Sequence, residues 1–107
     1  MGFASTENKG FTMTFANGYT LSCQFGAGNY CDHYARKFAS DYKFMEEMHK
    51  SIHSCGNCEV AIFKNGVKGS VATEIVKQIG MDADECGRMY CVTTDDVAKI
   101  IAHLVTL

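Results

Sequence analysis

Residues 11–25 read FTMTFANGYTLSCQF, and the way the two apolar rows of this stretch pair decides the fold. Phe11, Met13 and Phe15 alternate with Thr12 and Thr14, while Tyr19, Leu21, Cys23 and Phe25 alternate with Thr20, Ser22 and Gln24. Alternation at period two marks strands with one buried face. A two-residue loop of Asn17 and Gly18 would set Phe15 against Thr20 and throw the rows onto opposite faces, because a one-residue slip inverts every side chain. A three-residue loop, Ala16-Asn17-Gly18, sets Phe15 against Tyr19 and Met13 against Leu21. That register unites the rows and gives Gly18 the left-handed position such loops require.

The Asn-Gly device recurs. FANGYTLS at 15–22 and FKNGVKGS at 63–70 share a turn, so CEVAIFKNGVKG predicts a second hairpin. The likeness stops after eight residues, which fits common turn chemistry better than an internal repeat. Between the hairpins, SDYKFMEEMHKSIH predicts a helix over 40–53 with Met45, Met48 and Ile52 on one face. SVATEIVKQIG predicts another, with Ser70 as N-cap, Val71, Ile75 and Ile79 at helical spacing, and Gly80 just past its end. RMYCV reads as a strand, and Thr94 as the cap of a last helix striped by Val97, Ile100, Ile101 and Leu104.

The predicted order is β-β-α-β-β-α-β-α. It implies an α+β fold: an antiparallel sheet of about five strands, two Asn-Gly hairpins plus one strand, with helices packed on one face. Direct hairpin turns leave little room for the crossovers of a doubly wound sheet. At 107 residues the chain is too short to divide, so 11–107 is read as a single domain and 1–10, MGFASTENKG, as a flexible N-terminal tail.

Apolar residues make up 47% of the chain and charged residues 21%, the balance of a folded globule rather than a disordered chain. Net charge is −2, from ten basic and twelve acidic residues without single-sign blocks, and Arg36 and Arg88 are the only arginines. This argues against a phosphate-neutralising stripe and so against nucleic acid as partner. Apolar runs fall far short of the roughly 20 residues that span a bilayer, and no basic segment leads into one, so neither membrane span nor signal peptide is expected. Six cysteines without an export signal then read as reduced thiols in a cytosol.

Gly26-Ala27-Gly28 follows a strand, where a dinucleotide fingerprint would sit, but Cys31 stands where the third glycine belongs. No Gly-Lys-Ser or Gly-Lys-Thr makes it a phosphate loop either. Cys55-Gly-Asn-Cys58 is the sharpest local motif. In thioredoxin-like sites a helix N-terminus lowers the first thiol's pKa, whereas here a predicted helix ends and a strand begins. A structural zinc knuckle needs only converging thiolates, and His53 and Cys31 are the candidates to complete it with Cys55 and Cys58; buried, idle thiols are the plainer alternative. Cys86 and Cys91 lack paired spacing, and Cys23 reads as core. Asp82, Asp84 and Glu85 lack the ligand spacing of a calcium loop. No local signature joins a nucleophile, a base and an orienting acid, so no catalytic residue is assigned and the chain is read as a binding protein rather than an enzyme.

The stretch Phe15 to Cys31, FANGYTLSCQFGAGNYC, with the later EVAIF and TTDDVAKII segments, resembles small phage accessory proteins. Their shared pattern is Asn-Gly, an aromatic, alternating residues, then Gln-aromatic-Gly-x-Gly-x-Tyr-Cys. The resemblance implies a protein acting in the cytoplasm of a bacterial host as an anti-defence factor. Its first implied function is anti-CRISPR-type inhibition of an immune effector through protein contacts at a sheet edge or exposed loops. The alternative is a sponge for a nucleotide immune signal, since an N-terminal antiparallel sheet followed by helices is similar to the sponges that counter Thoeris defence. The ligand-or-partner surface assigned on these readings is Gln24, Gly26, Gly28, Asn29, Tyr30 and His33 with Arg88, and as a nucleotide pocket it would lie between subunits of a homo-oligomer. The third reading is a small interaction module around structural zinc, with no other cofactor.

Overall fold

The computed structural model describes residues 1–6, 10–26, 29, 31 and 54–107. They form an α+β fold. Strands β1 (Gly2–Ser5), β2 (Gly10–Thr14), β3 (Tyr19–Gln24), β4 (Cys58–Lys64) and β5 (Arg88–Val92) accompany helices α1 (Ala72–Lys77) and α2 (Thr94–Leu104). The strands make one sheet in sequence order, each pair antiparallel.

The first hairpin has the register that unites its apolar rows. Met13 faces Leu21, Phe11 faces Cys23, and the Phe15 N–H donates to the Tyr19 carbonyl at 2.8 Å. Gly18 closes the loop at φ +88° and donates to the Phe15 carbonyl at 3.0 Å.

The second hairpin does not form. Asn65 and Gly66 do turn the chain, with Gly66 at φ +80° and the Val67 N–H on the Lys64 carbonyl at 3.1 Å. Beyond the turn no strand returns, because VKGS offers only Val67 to a buried face, and Val67 is exposed. Instead the chain doubles under β4, where the Val71 N–H reaches the Ile62 carbonyl at 2.7 Å, and enters α1. β5 takes the place beside β4, contributing buried Met89 and Val92. The fifth strand comes from the segment expected to be a tail: Gly2–Ser5 runs beside β2, with Phe3 opposite Met13. The helix expected over 40–53 lies outside the described residues.

Side chains at alternate positions of the central strands build the core. Leu21, Cys23, Val60, Ile62, Met89 and Val92 form one buried cluster with Ala72, Ile75 and Val76 of α1 and Ile100 and Leu104 of α2. Each fully buried Leu, Ile or Val contributes roughly 1.5–3 kcal/mol. The N-cap of α2 is Thr93 rather than Thr94: its hydroxyl accepts from the Asp96 N–H at 3.3 Å, and Asp95 and Asp96 occupy the positive end of the helix. α1 ends as its glycine implies, with Gly80 at φ +77° and the Met81 N–H on the Val76 carbonyl at 2.9 Å.

Two polar side chains tie the elements together. The Asn17 amide in the hairpin loop donates to the Leu104 carbonyl at 2.7 Å and the Leu107 carbonyl at 3.1 Å, closing the C-terminus of α2 onto the β2–β3 turn. The Ser70 hydroxyl donates to the Gly87 carbonyl at 2.6 Å and accepts from the Ile62 and Ala72 N–H groups, both at 3.3 Å. It therefore stands in for the missing strand where the β4–β5 ladder ends.

Candidate functional site

Two regions present chemistry that packing alone does not use: a thiol-lined pocket, and the β1 edge. The pocket lies where β4 begins. Phe11 of β2, Cys23 of β3, Phe25, the Cys55–Cys58 turn, Val92 of β5, and Thr94 and Val97 of α2 enclose about 170 Å³. Among the described residues its walls are mostly apolar, with Asn57 and Thr94 as the polar exceptions.

Strand register brings the thiols together. Cys23 faces Val60, so Cys58, two positions earlier on β4, is its diagonal neighbour on the same face. The two thiols are close enough that each has the largest influence on the other's protonation. The Cys23 thiol is pushed far up, first by that contact and then by burial. Cys58 moves down, because the Cys23 S–H stabilises its thiolate against the opposing effects of burial and the Glu59 carboxylate. The pair thus holds one proton tightly and releases the other more readily. Cys23 is 2% exposed and Cys58 8%, whereas Cys55 is half-buried. All six cysteines are free thiols.

Of the proposed zinc ligands, the pocket gathers Cys55 and Cys58 but not Cys31. Cys31 is buried apart from them, its Sγ on the Gly26 carbonyl at 3.8 Å, and His53 lies outside the described residues. Among the described residues no three His, Cys, Asp or Glu side chains are placed to hold a metal ion together.

Of the assigned polar groups, Gln24 at the end of β3 and Asn29 beyond it hydrogen-bond within the chain. Asn29 Oδ1 accepts from the Gly26 N–H at 2.8 Å, and the Asn29 N–H returns to the Gly26 carbonyl at 3.0 Å, making a closed turn. Gln24 accepts from the Thr6 hydroxyl at 2.7 Å and donates to Ser22 Oγ at 3.1 Å. Gly28, Tyr30 and His33 lie outside the described residues. Arg88 begins the outer strand β5, exposed, where the Cys86 side chain and then the Glu59 and Asp84 carboxylates favour its charge. Asp84 organises the turn before β5: its carboxylate accepts from the Cys86 N–H at 2.9 Å, the Arg88 N–H at 2.8 Å and the Tyr90 hydroxyl. Chiefly the Tyr90 hydroxyl, followed by the backbone donors, holds it below the usual carboxylate range.

At the opposite edge, all four residues of β1 are exposed. Phe3 continues the row Met13, Leu21, Ile62 across the sheet, yet it is 79% exposed. Sequence reasoning assigned neither Phe3 nor Cys23 to a site. Phe3 stood in a segment without alternation, and Cys23 looked like one more apolar position of β3. Against protein-family models, curated proteins and solved structures alike, the chain has no match.

Proposed function

We propose that the protein is a binding protein that captures an extended segment of a partner protein on its β1 edge. Among residues described, no helix is long and apolar enough to cross a membrane, and the partner is a protein rather than a lipid surface. The observation that carries the proposal is the unguarded character of β1. Its sequence GFAS has no charge and no proline, and all of it is exposed, the large Phe3 side chain included. Natural edges are ordinarily blunted by charge, proline or a bulge. A guest strand on β1 gains main-chain hydrogen bonds and places an apolar side chain against Phe3, extending the Phe3–Met13–Leu21 row.

On this reading both helices pack against the face bearing Leu21, Val60 and Ile62, and the guest strand takes the β1 edge. The resemblance to phage accessory proteins supplies the partner class: an effector of bacterial immunity, met in the host cytoplasm. The test is co-expression with defence systems and affinity capture, comparing the native chain with the edge-blocked variant Phe3→Lys/Ala4→Lys. A defence protein retained by the native chain and lost from the variant is the expected result. Failure to retain one, or retention indifferent to the lysines, overturns the proposal.

A further inference from the structure

Where a thioredoxin-like site would begin a helix at its CxxC, β4 begins at Cys58 instead, but the fold brings a third thiol to the turn. Cys23, on the neighbouring strand, is the diagonal neighbour of Cys58 on the same face and lines the same pocket. The pocket also contains Cys55, three positions before Cys58 and more accessible than either. A thiol whose proton is readily lost, a neighbouring thiol that favours its thiolate and a second, more accessible thiol are the parts of a thiol–disulfide exchange site.

We propose that this pocket is such a site, in which Cys58 attacks a small apolar disulfide and Cys55 resolves the product, Cys23 acting as the positioning residue. The cavity size and lining select the substrate. About 170 Å³ walled by Phe11, Phe25, Val92 and Val97 accepts a group of one aromatic ring; an apolar cavity of roughly 150 Å³ holds benzene. Among the described residues the lining has no charged side chain to receive a zwitterionic peptide disulfide.

The chemistry balances in two steps. The Cys58 thiolate attacks one sulfur of the disulfide, an S–S bond breaks, and one aryl thiolate leaves. Cys55 then loses its proton to solvent, and its sulfur attacks Cys58 in the mixed disulfide. The second aryl thiolate departs with the bonding pair, leaving a Cys55–Cys58 disulfide. Two electrons pass from the protein to the substrate disulfide, which is the oxidant.

The experiment treats the reduced full chain with 4,4′-dithiodipyridine, a neutral disulfide whose halves are single aromatic rings. Thiopyridone release is followed by absorbance, and the modified cysteines are mapped by mass spectrometry at short times. The expected result is a Cys55–Cys58 disulfide formed about tenfold faster than the exposed Cys86 and Cys91 acquire adducts, because the thiolate fraction and the fitted pocket both favour Cys58. Cys55→Ser should arrest the reaction with one pyridylthio group on Cys58. Cys23→Ala should move the pH midpoint of the Cys58 reaction upward, and Cys23→Ser, which keeps a donor, should restore it. The proposal is overturned if the native chain forms its first adduct on Cys55, or if Cys58 reacts no faster than the buried Cys31. It is equally overturned if the pH midpoint ignores Cys23. Mapping on the native chain needs no variant to fold.

Discussion

Ser70→Ala removes one oxygen and tests whether a side chain truly completes the sheet. That hydroxyl serves three backbone groups belonging to β4, the start of α1 and the residue before β5. The bond to the Gly87 carbonyl is short at 2.6 Å, and the two accepted bonds are longer at 3.3 Å. Gly87, Ile62 and Ala72 are all buried, so water does not readily replace the hydroxyl. A typical hydrogen bond contributes about 1 kcal/mol net, and a buried group left without a partner costs about 1–3 kcal/mol. Counting one strong and two weak bonds, the loss is about 2–4 kcal/mol. Against a total stability of roughly 5–15 kcal/mol that is a large fraction, and it lowers the melting temperature on the order of 10–20 °C. Urea denaturation followed by far-ultraviolet circular dichroism measures it, with an unchanged m-value showing that only the folded state was altered. Ser54→Ala, at an exposed position, is the control and should stay within about 0.5 kcal/mol. A Ser70→Ala loss no larger than the control would refute the reasoning, since the three groups would then be finding partners elsewhere.

Asn17→Asp keeps the shape of the hairpin loop but replaces the donor to Leu104 and Leu107 with a carboxylate at the negative end of α2. The expected loss is about 1–3 kcal/mol at neutral pH, shrinking as the carboxyl is protonated below about pH 4; a loss independent of pH would contradict it. Tyr90→Phe removes the principal cause of the low Asp84 pKa. A depressed carboxylate stabilises the fold above its unfolded pKa, and that stabilisation is lost as pH falls through the folded value. The Asp84 midpoint should therefore rise toward the ordinary value of about 3.8 in a carboxyl-carbon NMR titration, and the acid-side loss should begin at higher pH.

Where the pattern itself carried the physics, the fold was legible. Period two in β2 and β3 left one loop length that keeps both apolar rows on one side, and the stripe Val97, Ile100, Ile101, Leu104 left one helix. The second Asn-Gly turn misled because turn chemistry is local. Asn65-Gly66 specifies a reversal, but the strand beside β4 is chosen by what it buries, and Met89 and Val92 bury more than Val67 can. The sites were harder to see for a related reason. CxxC is visible in one dimension, whereas the Cys23–Cys58 contact depends on the β3–β4 register across a long connection. Asn17 and Ser70 looked like turn and cap residues. Their longer-range partners, Leu104 and Gly87, follow only from the packing.

The sheet's two edges differ in a way that separates binding from folding. β5 carries Arg88 and a bulge, since Tyr90 and Cys91 together oppose Glu59 between the pairs Cys58–Val92 and Val60–Met89, and Cys91 adopts a left-handed φ of +50°. Charge and a bulge are both devices that discourage a further strand. β1 has neither. If β1 existed to protect the core, Phe3 would be covered; being 79% exposed, it contributes little burial to the fold. Phe3→Lys/Ala4→Lys should accordingly leave the unfolding free energy measured in urea within about 0.5 kcal/mol of the native protein's, as exposed substitutions do. Loss of partner capture at unchanged stability would then place the function on the edge itself. A destabilisation beyond about 1 kcal/mol would instead make β1 a structural strand, and any loss of binding would follow from the damaged fold.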